Sequence, residues 1–534
     1  MRREMQIICM QTSHLVSTLK LSCKTSAHIH QVHAQAITRG LFSLYPSLLL
    51  SHILHSFTFS PQHHTTNHHI IYFTNVFTLI PNPSTFNYNT IIRAHTTLRS
   101  PHTAFIFFLQ MRRRSISPDF HTFPFLLKAC GALHNSLPLA RALHAQVMKL
   151  GFLDDVFVRN SLSSAYCRSR DVDGGKGVFE GSLFRDVVSY NIMIDGFVKA
   201  GEIDRARQLL DEMPERNAVS WGTLLAGYAK LDRPVEAIEL FDSMIASQVK
   251  FDNVALVSAL SACAQLGKME KGKEIHEYIE RNGIELDAYI GTALVDLYAK
   301  CGFVETAKQV FASCREQNVS VWNAMLMGLA IHGDGASLLQ HFSRMLEDGI
   351  KPDGVTILGI LVGCSHSGMI NEAKSVFTRM ESAYGVARDL RHYGCMADLL
   401  ARAGMIREAV EMIEGMPMGG DVFVWGGLLG GCKIHGDVEV AEEAAKHVMR
   451  VKPEDGSVYS VLAQVYANSG RWDDVVKVRR LRECRWGIRK SAGWSLIELD
   501  GVEHEFVSWD CLHPCTEHIY FVLNTLQLHH YQQL

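Results

Sequence analysis

The sequence predicts an all-α fold, a right-handed superhelical solenoid of helix-turn-helix repeats with a small mixed C-terminal extension. The first observation is that Trp221, Trp322 and Trp425 occur in similar contexts, 101 and 103 residues apart. The second is that each interval divides into three units of 31 to 36 residues, and that four more such units lie between residues 85 and 217. The third is an apolar pattern of helical spacing inside the units. A repeat of this size indicates a stacked array instead of separate globular domains.

The unit 187–217 shows how each repeat predicts a helical hairpin. Apolar residues from Val187 to Phe197 mark a first helix, which Gly201 is expected to break. A second helix follows from Ile203, and Pro214 is placed where it can end that helix. One hairpin is too small to bury its own apolar face, so stacking on neighbours must supply the core. A small residue in the middle of the second helix would allow close approach, and it recurs as Ala206, Ala237, Ala307 and Ala373.

Charge and hydropathy exclude two classes of protein. No apolar run approaches the roughly 18 residues that a membrane span requires, so no membrane association is expected. The net charge is −3, although residues 1–118 carry a single acid, Glu4, against ten lysines and arginines. A nucleic-acid binder that relied on charge alone would have a strongly basic body. Nucleic-acid binding by this chain would therefore depend on base contacts and on local basic positions.

The cysteines are expected to pack and not to form disulfides. The chain has 13 cysteines, an odd number, and no Cys-x-x-Cys pair of the kind that binds zinc. One group stands at the same phase of the repeat after small residues, and a small weakly polar side chain in that place favours a packing role. Its members are Cys130, Cys263, Cys364 and Cys432. This usage indicates a reducing compartment.

The repeat resembles the pentatricopeptide repeat. The string Val-Val-Ser-Tyr-Asn-Ile-Met-Ile-Asp-Gly-Phe-Val-Lys-Ala-Gly that opens at Val187 carries the resemblance, and the alternation of 35-, 35/36- and 31/32-residue units resembles the plant PLS subfamily. Segments 297–302 and 397–404 are similar to its short-repeat motifs. The match covers about residues 85 to 510, with the repeats at 85–421 and a degenerate stretch at 41–84. It implies sequence-specific binding of single-stranded RNA in an organelle. A tetratricopeptide-like, protein-binding scaffold is the alternative of another class, and its steady period of about 34 residues fits this chain less well.

The resemblance implies that the fifth and the last residue of a unit recognise one base together. Five pairs carry suitable polar side chains: Asn89 with Asp119, Asn160 with Asp186, Asn191 with Asn217, Thr292 with Asn318, and Asn323 with Asp353. Under the family code Asn with Asp favours U, Asn with Asn favours a pyrimidine, and Thr with Asn favours A. Apolar residues at the second place of a unit are candidates for stacking on bases, namely Phe86, Phe157, Val188 and Val219.

Other units depart from this pattern. Pro124, Val257 and Leu358 stand at the fifth place of the long units and cannot hydrogen-bond a base in this way, and Gly222 and Gly394 also lack a polar side chain. Each last residue has a second interpretation as well. Asp and Asn are preferred N-caps, so a residue such as Asp186 can serve the next helix instead of a base.

The C-terminal region resembles the E motifs of organellar RNA-editing factors. Residues 422–490 predict two further hairpins, and residues 491–534 resemble a truncated extended E region. Within it, the stretch from Gly493 alternates with the period of a strand, Asp500-Gly501 is a favourable hairpin turn, and His504 to Val507 supplies a return strand. A short helix is expected from Thr516.

No enzymatic site is predicted. The zinc deaminases that follow such regions need His-x-Glu and Pro-Cys-x-x-Cys, and neither is present. The pair Cys511 and Cys515 is interpreted as incidental, and His33, His144 and His276, which share one phase of the second helix, are interpreted as packing residues. No cofactor and no metal are expected.

The sequence therefore predicts a site-recognition factor for C-to-U editing, with the deaminase or editing cofactors recruited in trans through residues 422–510. The alternative within the same class is a factor for RNA stability, splicing or translation. Residues 1–40 are rich in Ser, Thr and basic residues and resemble an organelle transit peptide. The expected location is the mitochondrion, with the chloroplast as the alternative.

Overall fold

The computed structural model describes residues 26–39, 49–54, 67–97, 100–416, 420–453, 455–486, 494–499, 502–507 and 513–533. Contacts divide the chain into two units: unit 1 comprises residues up to 232 with 240–255, and unit 2 comprises 233–239 with the residues from 256 onward. Both units are built from antiparallel helix pairs. The predicted all-α repeat fold is confirmed, whereas the handedness of a superhelix stays a prediction.

From residue 85 onward the helices alternate as the first and second members of successive hairpins. In unit 1 and at the boundary they are α1 (Ser26–Thr38), α2 (Asn67–Thr78), α3 (Thr85–Thr97), α4 (Pro101–Arg113), α5 (Thr122–Cys130), α6 (Leu137–Lys149), α7 (Val156–Arg168), α8 (Val172–Glu180), α9 (Val187–Ala200), α10 (Ile203–Asp211), α11 (Ala218–Lys230) and α12 (Pro234–Ala246). They continue as α13 (Asn253–Leu266), α14 (Met269–Arg281), α15 (Ala288–Lys300), α16 (Val304–Ser313), α17 (Val319–Ile331), α18 (Gly335–Glu347), α19 (Gly354–Ser367), α20 (Ile370–Tyr384), α21 (Leu390–Arg402), α22 (Ile406–Glu414), α23 (Val422–His435), α24 (Val438–Val451), α25 (Gly456–Asn468) and α26 (Trp472–Trp486). Residues 49–54 are also helical.

The hairpin formed by α9 and α10 shows how the local sequence sets the turn. Asp186 caps α9 by accepting a hydrogen bond from the backbone N–H of Ser189. The helix ends at Gly201, whose φ of 82° lies in the left-handed region that glycine adopts without strain. Helix α10 ends at Asp211, three residues before Pro214, and Met213 lies beyond the helix but is buried. The proline therefore does not itself mark the end of the helix.

The recurring small residues are all in the core. Ala206, Ala237, Ala307 and Ala373 are each completely buried. The cysteines expected to pack, Cys130, Cys263, Cys364 and Cys432, are also completely buried. Burial raises the pKa of the Cys432 thiol to about 12, so the thiolate is strongly disfavoured there. The packing interpretation of these cysteines is confirmed.

The first helices of neighbouring hairpins approach most closely at the tenth residue of a unit. A β-carbon at Gly431 of α23 would lie 2.2 Å from the β-carbon of Ala401 in α21 and 2.5 Å from its carbonyl carbon. Gly328 approaches Ala299 in the same manner, at 2.5 Å. Only glycine lets the two helix backbones come this near. The sequence analysis did not anticipate this row, because it sought small residues on the second helix alone.

The histidines that share one phase are structural. The hydroxyl of Tyr166 lies 3.0 Å from Nδ1 of His144, and the hydroxyl of Tyr298 lies 2.8 Å from Nδ1 of His276. His33 and Tyr72 form the same pair at 2.5 Å. Burial lowers the pKa of all three histidines, which favours their neutral form. The pairs of His144 and His276 join the second helix of one hairpin to the first helix of the next, and the pair of His33 joins α1 to α2, as expected for packing residues.

The C-terminal extension contains a two-stranded antiparallel sheet and a helix. Strand β1 (Trp494–Leu499) pairs with β2 (Val502–Val507), with Trp494 opposite Val507. The predicted turn, Asp500-Gly501, lies outside the described residues, as does Cys511. Helix α27 (Thr516–Gln533) begins at the predicted residue. Cys515 is exposed, and among the residues that the structure describes no group of three His, Cys, Asp or Glu side chains could hold a metal ion.

None of the helices in the described part of the chain combines the length and the apolar character needed to cross a bilayer.

Acid should destabilise unit 1 through His95 of α3. This side chain is 2% exposed, its Nε2 lies 3.3 Å from Oγ1 of Thr74, and its Nδ1 has no hydrogen-bond partner among the described residues. Burial lowers the pKa of His95 to about 4. Between pH 6.5 and pH 4 the unfolded chain binds a proton that the folded chain does not. The stabilisation is thus complete above pH 6.5 and falls as the pH approaches 4, by about 2–3 kcal/mol.

The measurement is chemical denaturation at pH 7 and at pH 4.5, on the wild type and on His95→Phe. Phenylalanine keeps a ring between Phe73 and Phe107, whose centroids both lie 5.3 Å from that of His95. The variant should lose less stability on acidification than the wild type. An equal loss in both proteins would show that His95 is not the acid-sensitive group.

Candidate functional site

The fifth residue of a unit meets the last residue of the same unit in three Asn–Asp pairs. Nδ2 of Asn89 donates to Oδ1 of Asp119 at 2.8 Å, and Nδ2 of Asn323 donates to Oδ1 of Asp353 at 3.0 Å. Asn160 and Asp186 form the corresponding hydrogen bond at 3.3 Å. In each case the asparagine projects from the first helix, and the aspartate lies just before the first helix of the next unit. Residues about 30 positions apart are thereby brought together as the sequence analysis expected.

Asp186 and Asp353 also cap the next helix, and Asp119 accepts from the backbone N–H groups of His121 and Thr122 where the next helix begins. Each aspartate uses the same oxygen atom for these bonds as for its asparagine. Oδ1 of Asp353 accepts from the backbone N–H of Thr356 at 2.9 Å as well as from Asn323. Burial alone would raise the pKa of Asp353, but the hydrogen bonds from Thr356 and Asn323 outweigh it and hold the pKa below its ordinary value. The carboxylate is therefore ionised at neutral pH. Capping and pairing with asparagine are not alternatives, since one aspartate does both.

A hydroxyl group completes each of the three pairs. It belongs to the third residue of the following unit and donates to Oδ1 of the asparagine. Thr122 does so to Asn89 at 2.7 Å, Ser189 to Asn160 at 2.7 Å, and Thr356 to Asn323 at 2.6 Å. The sequence analysis missed these hydroxyls. The available signal was a Ser or Thr two places before the fifth residue, in the unit that follows each asparagine.

Each triad leaves two polar groups unused. An asparagine amide has two N–H donors, and the bond to aspartate occupies one. In Asp119, Asp186 and Asp353 every hydrogen bond within the described residues goes to Oδ1, so Oδ2 remains available. Each triad thus offers one N–H donor beside one charged acceptor, which suits a ligand edge that carries both a donor and an acceptor.

The pair of Asn191 and Asn217 is arranged differently. Nδ2 of Asn191 lies 3.4 Å from Oδ1 of Asn217, which also accepts from the backbone N–H and the hydroxyl of Ser220. Oδ1 of Asn191 is buried and has no hydrogen-bond partner in the described part of the chain. The last residue here offers N–H donors in place of a carboxylate oxygen.

The pair of Thr292 and Asn318 is not joined by a hydrogen bond among the described residues. The hydroxyl of Thr292 donates to the carbonyl oxygen of Ala288 at 2.6 Å, so its lone pairs face outward as acceptors. Oδ1 of Asn318 caps α17 through the backbone N–H groups of Ser320 and Val321. The amide N–H groups of Asn318 are left as donors.

Exposed apolar side chains flank the pairs. The second residues Phe86, Phe157, Val188 and Val219 are 52%, 79%, 54% and 53% exposed. A cleft in unit 1 is lined by Phe157 and Val188 together with Asn160 and Asp186, and the next cleft by Val188 and Val219 together with Asn191 and Asn217. A third contains Phe86, Asn89 and Asp119. Each of these clefts is therefore lined by a polar pair together with apolar side chains, and a planar ring can stack on such side chains.

Further apolar residues at the second place were missed in the sequence analysis. Val254, Tyr289, Val355 and Phe423 are 51%, 76%, 42% and 78% exposed. The five units without a polar fifth residue offer no amide or hydroxyl there. One of these positions also has little room for a side chain, because a β-carbon at Gly222 would lie 3.2 Å from Oδ1 of Asp252.

Basic side chains border the same clefts. Arg168 lines the first two of them and Lys199 the second. Lys199 forms an ion pair with Asp195 at 2.6 Å, but the lysine side chain is 60% exposed and such surface pairs contribute little. These cations remain accessible to an anionic ligand.

Comparisons with known proteins agree with this architecture. The PPR repeat model matches residues 182–214, related PPR models match 83–132 and seven segments between 157 and 420, and the E motif model matches 435–498. A pentatricopeptide repeat-containing protein of Arabidopsis thaliana is 50% identical over 489 residues, which cover 90% of this chain and 98% of that protein. Another from the same plant is 46% identical over 453 residues, covering 83% and 78%. The crystal structure of the maize pentatricopeptide repeat protein PPR10 matches with a TM-score of 0.47 at 16% identity, covering 90% and 74% of the two chains.

Proposed function

The chain belongs to the pentatricopeptide-repeat family, and we propose on this basis that it binds single-stranded RNA in a sequence-dependent manner. The observation that carries the proposal is the recurrence of one arrangement: a polar pair that lines the same cleft as exposed apolar side chains. A base inserted there would stack on the apolar walls and present its edge to the pair. The candidate base-recognition residues are the five predicted pairs, with Phe86, Phe157, Val188 and Val219 as stacking residues.

The groups left unused in each pair support the family code. The Asn–Asp triads offer a carboxylate oxygen, which can only accept, beside an amide N–H. Uracil carries an N3–H donor next to carbonyl acceptors and fits that combination. At Thr292 and Asn318 a hydroxyl lone pair stands with amide N–H donors, which suits the N6 amino group and N1 of adenine. At Asn191 and Asn217 the carboxylate is replaced by an amide, in accord with a pyrimidine that offers an acceptor.

The test uses the purified chain and a pool of single-stranded RNA with randomised sequence. Sequencing of the bound fraction should show U enriched at the places facing the Asn–Asp units and A at the place facing residues 288–318. Bound RNA with the base composition of the starting pool at every place would contradict the proposal. It would favour the alternative of a protein-binding scaffold.

Binding should depend on salt only moderately. The net charge is −3, and the cations at the clefts are few, so few phosphates are neutralised. The logarithm of affinity should fall with the logarithm of salt concentration by clearly less than for a domain that releases about six counterions. Titrations between about 50 and 200 mM salt measure this slope. A slope corresponding to six or more counterions would show that the phosphate backbone, and not the pairs, dominates binding.

We further propose that the chain recognises sites for C-to-U editing in an organelle and that the deaminase is recruited in trans through residues 422–510. The E motif match at 435–498 supports this choice, because the family's editing factors carry that motif after the repeats. Exposed apolar side chains in the same region, such as Phe423 at 78% and Ile434 at 62%, are suited to a protein contact. The PLS assignment belongs to the same proposal.

Sequencing of organelle RNA from a line that lacks the protein separates editing from the alternative. Loss of C-to-U conversion at particular sites, with unchanged transcript abundance and splicing, is the expected result. Altered abundance, splicing or translation with intact conversion would favour the stability, splicing or translation factor. The mitochondrion is our preferred location, with the chloroplast as the alternative. A transit peptide would end before Ser26, since Ile29, Val32 and Ala36 of α1 are buried in the core of unit 1.

A further inference from the structure

We propose that the hydroxyl at the third place of the following unit is a positioning residue for base recognition. This inference rests on the proposed RNA binding. In the three triads Thr122, Ser189 and Thr356 donate to the Oδ1 atom of Asn89, Asn160 and Asn323, respectively. The hydroxyl fixes which end of the amide is the oxygen, and so directs the N–H groups towards the aspartate and the cleft.

An asparagine amide must be held in one orientation because its oxygen atom and its NH2 group are almost the same size. A rotation of half a turn exchanges Oδ1 and Nδ2, and would present an acceptor where the base requires a donor. The aspartate opposes that rotation on one side, since its Oδ1 can only accept. The hydroxyl lies between Oδ1 of the asparagine and Oδ1 of the aspartate, and on the other side of the amide it satisfies the amide oxygen in the orientation that the aspartate selects. Thr122 and Thr356 are completely buried and Ser189 is 7% exposed, so water does not readily replace them.

Helix capping alone does not account for these hydroxyls. Capping aspartates also precede helices whose third residue is aliphatic: Asp155 caps with Val158, Asp287 with Ile290, and Asp421 with Val424. A cap therefore forms here without a hydroxyl at the third place.

The hydroxyl occurs where the preceding unit has asparagine at its fifth place, and not wherever the last residue caps a helix. After each unit with Asn at the fifth place, the third residue of the next unit is Ser or Thr: Thr122, Ser189, Ser220 and Thr356. After the seven other units from residue 120 to residue 455 the third residue is Val158, Ala255, Ile290, Val321, His392, Val424 or Val458. A role towards the asparagine explains this distribution.

The chain contains a matched control in two consecutive units. Ser189 and Ser220 occupy the same place, and both hydroxyls contact the capping residue, at 2.7 Å to Asp186 and 2.9 Å to Asn217. Only Ser189 also donates to the fifth residue of the preceding unit. Oδ1 of Asn191, which Ser220 would have to reach, has no partner among the described residues.

The experiment compares Ser189→Ala with Ser220→Ala in the full chain, using the randomised single-stranded RNA pool. Ser189→Ala should weaken base discrimination about fivefold to tenfold at the one place facing Asn160, as for the loss of one hydrogen bond to a buried group. Discrimination at the other places should stay unchanged. Ser220→Ala should leave all places as in the wild type, because the backbone N–H of Ser220 still holds Oδ1 of Asn217 at 3.0 Å when the hydroxyl is removed. Ser189→Thr keeps the hydroxyl and should keep the wild-type discrimination.

Thr356→Val supplies an independent second variant, because valine has nearly the shape of threonine. It should reduce discrimination at the place facing Asn323, again by about fivefold to tenfold. Wild-type base preferences in both Ser189→Ala and Thr356→Val would overturn the inference. A loss of discrimination in Ser220→Ala equal to that in Ser189→Ala would also overturn it, because the effect would then belong to the helix cap. A wild-type chain without any base preference would instead remove the proposed RNA recognition, and this inference with it.

Discussion

Replacing Gly431 by alanine should destabilise the E-type hairpins by about 2–3 kcal/mol or more, although alanine is the better helix former. The new methyl group would stand 2.2 Å from the β-carbon of Ala401 and 2.7 Å from its carbonyl oxygen. A backbone atom cannot move aside as a flexible side chain can, so α21 and α23 would have to separate. In a stacked array each hairpin contacts only its neighbours, and the damage should stay local.

Gly430 is the matched control, one residue away in the same helix. A β-carbon there meets no atom within 4 Å. Gly430→Ala should therefore stabilise the protein by about 0.5–1 kcal/mol, because alanine loses less backbone entropy than glycine on folding. Chemical denaturation gives both free energies of unfolding, and hydrogen exchange shows which helices open. Two variants of equal stability would mean that the helices separate without cost at Gly431.

The double substitution Asn323→Thr and Asp353→Asn should change the preferred base from U to A at the place facing residues 319–353. The unit 288–318 already contains this combination in Thr292 and Asn318, where the threonine hydroxyl donates to its own helix and the asparagine caps the next one. The same local bonds are open to the variant, so its fold should be kept. A mismatch at one base costs about 1–3 kcal/mol, tenfold or more in affinity, by analogy with base recognition in DNA.

Competition between two RNAs that differ at this one base measures the change. Under the proposed editing function, the family resemblance implies that the unit 390–421 lies over the nucleotide four positions before the edited C. The unit 319–353 would then lie at the sixth position upstream and 288–318 at the seventh. The ratio of affinities for the U- and A-containing RNAs should invert in the variant. An unchanged ratio would show that Asn323 and Asp353 do not select the base. A chain that no longer folds would show that the hydrogen bond between Asn323 and Asp353 is needed for the stacking of the two units.

The sequence predicted the repeat because its determinants are local. Apolar spacing, a glycine such as Gly201 and a cap such as Asp186 act within a few residues, so each hairpin could be located from its own segment. The sequence analysis also matched each asparagine of the three Asn–Asp pairs with the aspartate that it contacts in the structure. The base-recognition role of these residues stays a prediction.

Contacts between neighbouring units were harder to predict from the sequence. The hydroxyl of Thr356 meets Asn323 only because the next hairpin stacks in one particular register, and Gly431 matters only because Ala401 lies opposite. Thr292 and Asn318 resemble the other pairs in sequence, yet a threonine is too short to reach across as asparagine does, and it bonds to its own helix instead. Such details depend on the distance between helices, which the pattern of one unit does not contain.

Because the last residue of a unit also caps the next helix, few residue types can stand at that place. From Asp119 to Asp455 the residue is always aspartate or asparagine, even beside Pro124, Val257 and Leu358, where no polar fifth residue stands. Folding demands a capping side chain there, whether or not a base is recognised. Under the proposed base recognition, the last residue can then offer either a carboxylate acceptor or an amide donor. Diversity in target sequence would come mainly from the fifth residue, and exchange of Asp and Asn could change specificity without loss of the helix that follows.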